Sequence, residues 1–403
     1  FLEAENPALQ AFYELNRADT REKAREAASK IHAPGLNVVW ANAKDDIGWW
    51  DAAKLPQRPE GVNPTFILDA SKGEAEKPGF YAFNFNPQEE NPARGYIMSA
   101  NHQPKPSSGV PVPGYYNLAD RAQRLDAALS NPKIRWDTEA AQALQLDTGN
   151  GYGRRVLQSL LPIMQAVVTD DNEKAFMEPL TKWDGNYSTD SIAATLFTQM
   201  LYELSKAAME DELGEVQFKN LLNTRALEAA LPLLLADPKS PWWDNKNTKA
   251  TESHFEIVRI AWSNTLKHLQ GLYGTSLLDW RWGAAHTLTH VHPLGRQKPL
   301  NLLFNVGPFP APGGRETPNN LSGAIGPAPW AVSYGPSTRR VIDFADASRA
   351  VGINPVGQSG VLFDKHYADQ AERYIAGGYV PQYLSEDAVQ AHTESKLRLK
   401  PAH

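Results

Sequence analysis

The spacing of apolar and polar positions divides the chain into three textures. In residues 7–31, Leu9, Phe12, Tyr13 and Leu15, then Ala24, Ala27 and Ala28, form one seam with charges opposite, which predicts helix until Pro34-Gly35. Residues 36–41 and 47–50 are rich in β-branched and aromatic side chains. They flank Ala43-Lys44-Asp45-Asp46, and together these segments predict a hairpin. Residues 80–85 and 95–98 predict two more short strands. The second runs into Asn101, His102 and Gln103, where Pro104 and Pro106 forbid further ladder pairing.

From residue 115 to 270 the period becomes helical, with segments at 118–129, 155–168, 190–208 and 224–236. Ser253 and Glu256 have capping-box spacing and open a helix that Gly271 is expected to end. After residue 278 the texture returns to short strands, at 302–306, 330–334 and 340–344. The order implies an α+β fold: a β-rich part over 1–114, a helical lobe over 115–277 and a second β-rich part over 278–403.

Composition narrows the function classes. At 403 residues the chain exceeds the usual size of a single core, and 42% hydrophobic content is globular. A net charge of −6 without a long basic run gives no expectation of a nucleic-acid partner. No apolar stretch approaches the ~20 residues of a membrane span. The absence of cysteine removes disulfides and thiolate chemistry while leaving the compartment open. The chain opens on Phe1 without a signal-like segment, and is expected to be a piece of a longer polypeptide.

Few motifs carry chemistry. Asn101, at the end of an apolar segment, suits a rigid amide donor for an oxyanion, and equally suits a turn. Arg121 opens a helix twenty positions later and can brace that tip with its fork of donors. His286, His290 and His292 have zinc-like spacing but lack the glutamate of the metalloprotease helix, so they read as structural. Asp184, Asn186, Ser188 and Asp190 imitate half a calcium loop. Thr195 stands where the bidentate glutamate belongs, so a helix cap near Asp190 is expected instead. Gly357-Gln358-Ser359-Gly360 is followed by Val361 where a hydrolase elbow needs glycine, which makes Ser359 a turn residue.

Taken in order, several segments resemble the β chain of penicillin acylases, a family of N-terminal-nucleophile amidohydrolases that includes acyl-homoserine-lactone acylases. The resemblance runs through residues 37–49, 95–101 and 119–121, Trp183-Asp184-Gly185, residues 280–286 and Asn305-Val306-Gly307-Pro308-Phe309. It continues through Pro312-Gly313-Gly314, residues 335–343 and 357–360, and Asp364-Lys365-His366-Tyr367-Ala368-Asp369-Gln370. It implies a four-layer αββα sandwich with a helical insertion. The catalytic hydroxyl of that family is the first residue of its β chain, and position 1 here is Phe.

The nucleophile, together with the α chain, is therefore expected from a partner polypeptide. Asn101 matches the family's oxyanion asparagine and Arg121 the arginine that holds it. A second asparagine is replaced by His102. Leu36 falls at an acyl-pocket position, and the pocket's tryptophan falls at Ala11 and Phe12. The resemblance requires no cofactor. A structural calcium would take a carbonyl from Pro64, but no carboxylate stands between His102 and Ala119. The implied substrate is a linear amide with an apolar acyl group, such as a β-lactam side chain or an N-acyl-homoserine lactone. The implied location is periplasmic or secreted. The alternative is a scaffold remnant without chemistry.

Overall fold

The hairpin forms where turn chemistry and alternation agree. Strands β1 (Leu36–Ala41) and β2 (Ile47–Ala52) pair antiparallel, and Asn37 lies across from Asp51. Asn42 closes the turn: its Oδ1 accepts from the N–H of Lys44 at 2.9 Å and of Asp46 at 3.0 Å, and Asp45 takes a φ of 64°. This computed structural model describes residues 6–401, so Phe1 lies outside the described residues. They form two units, 1–132 and 133–403.

In the first unit the segment predicted as one long helix is two. Helix α1 (Ala8–Leu15) ends before Thr20, whose hydroxyl caps α2 (Arg21–Ser29) by accepting from the N–H of Lys23. Both helices turn alanines inward. Ala11, Ala24, Ala28 and Ile31 meet Trp50 and Ala52 in one core, with Leu36, Val38 and Trp40 packed against it. Trp50 is fully buried. Roughly 200 Å² of ring at about 25 cal/mol/Å² gives about 5 kcal/mol of gross transfer energy. Gly48 makes room for that ring, because a Cβ there would lie 2.4 Å from it. Glu90, in β3 (Gln88–Glu90), accepts from Trp50 Nε1 at 2.9 Å and from Arg25 at 2.6 and 2.7 Å. Strand β2 is the middle strand of this three-stranded sheet. Helix α3 (Asp120–Leu129) follows.

Neither of the short strands expected at 80–85 and 95–98 forms. Residues 83–85 make a turn of 3₁₀ helix, and residues 96–100 form no regular element and have no ladder partner among the described residues. A strand requires a neighbour, and spacing within one segment cannot supply it.

The second unit begins with α4 (Thr138–Gln145), α5 (Gly151–Val167), α6 (Asp171–Thr181), α7 (Ile192–Leu222), α8 (Ala226–Ala236) and α9 (His254–Tyr273). Side-chain caps start most of them: Asp137, Asn150, Asp170 and Ser191 each accept from a first-turn N–H, and Ser253 with Glu256 completes a capping box. Helix α9 runs past Gly271 and stops at Gly274, whose φ of 78° glycine adopts without strain. Helix α7 is broken at Gly214, where φ is 72° and ψ 159°.

Beyond α10 (Trp282–Ala285) lie β4 (His286–His290), α11 (Asn301–Phe304), β5 (Val306–Pro310) and β6 (Trp330–Val332). Strand β4 pairs antiparallel with β5 and parallel with β6. The run expected as a strand at 302–306 is therefore mostly helix. Short apolar runs without β-branching do not distinguish the two. Strands β7 (Arg339–Val341) and β8 (Val351–Ile353), with α12 (Ala371–Ile375), β9 (Val380–Pro381) and α13 (Glu386–Ala391), complete the chain, and β7-β8-β9 is a third sheet. Leu288, Ala311, Leu321, Val332, Ile353 and Tyr374 form the core of this region. An ion pair fixes α8: Arg315 donates Nε and Nη2 to Glu228 at 2.8 and 2.7 Å.

Candidate active site

Asn101 and Arg121 meet. Helix α3 begins at Asp120, which places Arg121 in its first turn. Its Nη2 donates to Asn101 Oδ1 at 2.6 Å and to the carbonyl of Ala100 at 2.9 Å. The backbone is pinned as well, since Asn117 N–H donates to the Asn101 carbonyl at 2.9 Å. Asn101 has a φ of 58°, a left-handed conformation that asparagine tolerates better than most residues.

These bonds decide which end of the amide is presented. A guanidinium only donates, so the atom facing it must be the amide oxygen. The Nδ2 group is left at the other end, exposed and without a partner in the structure. Asn101 lines an open cleft of about 820 Å³ in the first unit. Its wall includes Asn37, Trp49, Asp51, His102 and Tyr116. Trp49 is held by a 2.8 Å bond from Nε1 to Asn37 Oδ1, and the Tyr116 hydroxyl donates to the Val112 carbonyl at 3.1 Å.

Electrostatics differ along this wall. Burial, then the Arg121 charge, push the His102 pKa down; its Nδ1 is buried without a partner. Burial pushes the Asp51 carboxyl up, and burial with Asp51 nearby pushes the Tyr116 phenol up. The cleft offers a rigid amide donor. It offers no activated nucleophile among the described residues: the Ser107 hydroxyl donates to the Asn86 carbonyl, and Ser99 has no hydrogen-bonded base.

The remaining sequence candidates lie elsewhere. Leu36 points from β1 into the alanine core, on the face opposite Asn37, and does not line this cleft. Phe12 is 45% exposed on α1, also away from the cleft wall. Pro64 sits in a loop where Asn63 Oδ1 accepts from the N–H and hydroxyl of Thr65. The nearby Asp69 carboxylate caps Ser71. Among the described residues no group of three His, Asp or Glu side chains is placed to hold a metal.

The histidines do not converge either. His286 is buried, accepts a stacked Trp282 at 4.4 Å and bonds through Nδ1 to the Ala311 carbonyl at 2.8 Å, and burial pushes its pKa down to about 4. His292 stacks on Phe304. Ser359 is a turn residue that receives the Val361 N–H.

A family model for penicillin amidase matches residues 1–391. The chain belongs to the penicillin amidase family. Among relatives in that family, the acyl-homoserine lactone acylase QuiP of Pseudomonas aeruginosa is 26% identical, over 98% of this chain and 50% of its own length. The enzyme of the same name from Pseudomonas syringae pv. syringae is 28% identical over 93% of this chain and 47% of its own length. Penicillin G acylase of Escherichia coli is 24% identical, over 95% of this chain and 47% of its own length. The chain spans about half the length of these curated relatives. In fold it is similar to the thermostable penicillin G acylase from Alcaligenes faecalis, with a TM-score of 0.66 at 20% identity over 98% of this chain and 73% of that one. The mixed helix and strand architecture expected from the sequence is thus a penicillin amidase fold.

Reading the sequence missed Asp51 and Trp49 as cleft residues. The available signal was the alternation of the hairpin: Leu36, Val38, Trp50 and Ala52 face the core, so Asn37, Trp49 and Asp51 face away from it.

Proposed function

We propose that this chain is the oxyanion-stabilising part of an amidohydrolase that removes an apolar acyl group from a linear amide. Asn101 Nδ2 donates to the carbonyl oxygen as it becomes an oxyanion. Arg121 fixes the amide so that this donor needs no reorganisation at the moment of reaction. The nucleophile attacks from sequence outside this chain, carried on the partner part of the same acylase. The observation that carries the reading is the 2.6 Å bond from Arg121 to Asn101 Oδ1, which leaves Nδ2 unpartnered at the cleft.

Substrates of the class named by the relatives, an N-acyl-homoserine lactone or a penicillin, share what this geometry addresses: a secondary amide carbonyl bearing an acyl chain. Family membership also supports a periplasmic or secreted protein, and no described helix is long and apolar enough to cross a membrane.

The test is Asn101→Ala in the polypeptide that carries this chain together with its nucleophile. Loss of one such donor lowers kcat by roughly 10²–10³, with the melting temperature unchanged. Turnover equal to that of the parent would remove the oxyanion assignment. Native mass spectrometry tests the assembly: a co-purifying segment that begins with Ser, Thr or Cys is expected, and its absence would favour a scaffold without chemistry.

A further inference from the structure

The backbone of Asp51 is pinned from both sides. It lies in the middle strand, its N–H donates to the Pro87 carbonyl at 2.9 Å, and its own carbonyl accepts from Asn86 Nδ2 at 2.7 Å. Its side chain leaves the sheet on the cleft face, opposite fully buried Trp50.

The carboxylate has no hydrogen bond or ion pair in the structure, although it is half-buried. Other partly buried carboxylates of this unit are engaged. Glu90 holds Arg25 and Trp50, Glu14 holds Lys30 at 2.5 Å, and Asp46 holds Asn42 and Asn91 at 3.2 and 2.9 Å. Nor do the cations of the cleft wall relieve it. Arg94 is engaged by Glu89, and Lys105 makes no hydrogen bond or ion pair with Asp51. A desolvated carboxylate without a counter-charge opposes its own ionisation. The situation is relieved when something cationic enters from the open side. Trp49 and Tyr116 line the same cleft, and aromatic faces attract ammonium groups as well as apolar ones.

We propose that Asp51 determines specificity in the Asn101 cleft by pairing with an ammonium group on the amide substrate. The inference rests on the acylase reading of that cleft. It narrows the substrate class from any acyl amide to amides that also carry a protonated amine.

Two substrate pairs test it in the complete enzyme. Phenylglycine 4-nitroanilide differs from phenylacetyl 4-nitroanilide by one ammonium on the acyl side. Nα-phenylacetyl-lysine differs from Nα-phenylacetyl-norleucine by one ammonium on the amine side. The parent enzyme should prefer the charged member of at least one pair. Asp51→Asn should lower kcat/KM for that member by about tenfold or more and leave the neutral member within about threefold. Equal losses on both members, or no preference in either pair, would overturn the proposal.

Asn101→Ala separates the two claims, since it should depress both members alike. If it does not, the acylase reading itself fails. A measurement on the parent enzyme alone guards against misfolding of the variant: benzylamine should inhibit at a lower concentration than benzyl alcohol. The reverse order would overturn the proposal. So would failure of Asp51→Asn to assemble with the nucleophile-bearing segment, because the partner of Asp51 would then be protein.

Discussion

If Arg121 acts through Asn101, removing both should cost no more than removing Asn101 alone. Arg121→Met takes away the 2.6 Å bond that holds Oδ1 and the 2.9 Å bond that holds the Ala100 carbonyl. A hydrogen bond to a charged group contributes about 1.5–3 kcal/mol. Without it the Asn101 amide can turn, and the conformer with Nδ2 toward the substrate oxygen becomes one of several. At about 1.4 kcal/mol per factor of ten, the productive population falls by about tenfold to 150-fold. The loss cannot exceed that of deleting the donor itself, about 10²–10³.

The assay is a double-mutant cycle on single-turnover rates of the complete enzyme. Asn101→Ala, Arg121→Met and the double variant are compared with the parent, and circular dichroism melts serve as the control for folding. The double variant should fall within about threefold of Asn101→Ala, a coupling energy of about 1.5–3 kcal/mol. Arg121→Lys, which keeps a charge but offers a single point donor in place of the fork, should lie between the parent and the methionine variant. Additive losses in the cycle would refute the reasoning, since Arg121 would then work on something other than the Asn101 amide.

Two further outcomes concern stability. His286 is neutral when folded because burial lowers its pKa from 6.5 to about 4. The unfolded chain binds a proton below pH 6.5 that the folded chain refuses, so stability is intact above pH 6.5 and declines as pH falls toward 4, by about 3 kcal/mol in all. Hydrogen exchange of the β4 amides, corrected for intrinsic rate, should lose protection over that window, and pH-independent protection would contradict the burial argument. Gly357→Ala would place a Cβ 1.6 Å from the His366 carbonyl oxygen, a backbone atom that cannot rotate aside. A loss of about 1–3 kcal/mol, with faster exchange across residues 357–369, is expected, and unchanged exchange would show that the loop has room.

Local chemistry was legible wherever one segment supplied its own partners. The turn closed by Asn42 and the capping box of Ser253 and Glu256 need only neighbours a few residues away. The segment before Asn101 was misread because its strand character depended on a ladder partner elsewhere in the chain, and none is present among the described residues. Asn101 stood out from its place at the end of that segment, and the family resemblance then favoured the oxyanion role over a turn. Gly271 was mistaken for the end of α9 because a glycine in sequence does not reveal its φ, and Gly274 carries the positive one. Asp51 stayed hidden behind two adjacent tryptophans. Trp49 and Trp50 are equally apolar, so that pair does not say which faces the core; the signal lay in the alternation around it, where Trp50 and Ala52 join the core and Asp51 between them faces away.

Backbone strain by itself would not have singled out the site. Asn101 and Glu316 both hold left-handed conformations, with φ of 58° and 57°. Each lies close to an arginine: Arg121 donates to Asn101, and Arg225 approaches Glu316 at 3.3 Å. Glu316 is buried, and its arginine also meets Glu228, which Arg315 grips from the other side. Its strain locks a charge network into the second unit, where the reward for the unusual conformation is structural. At Asn101 the arginine occupies only the oxygen end of a side chain that also carries two donors, and those donors face an open cleft. A conformation held against its own preference, with its side chain buried in a charge network, is explained by packing. One held equally firmly so that a donor is left over is explained only by something that arrives to accept from it.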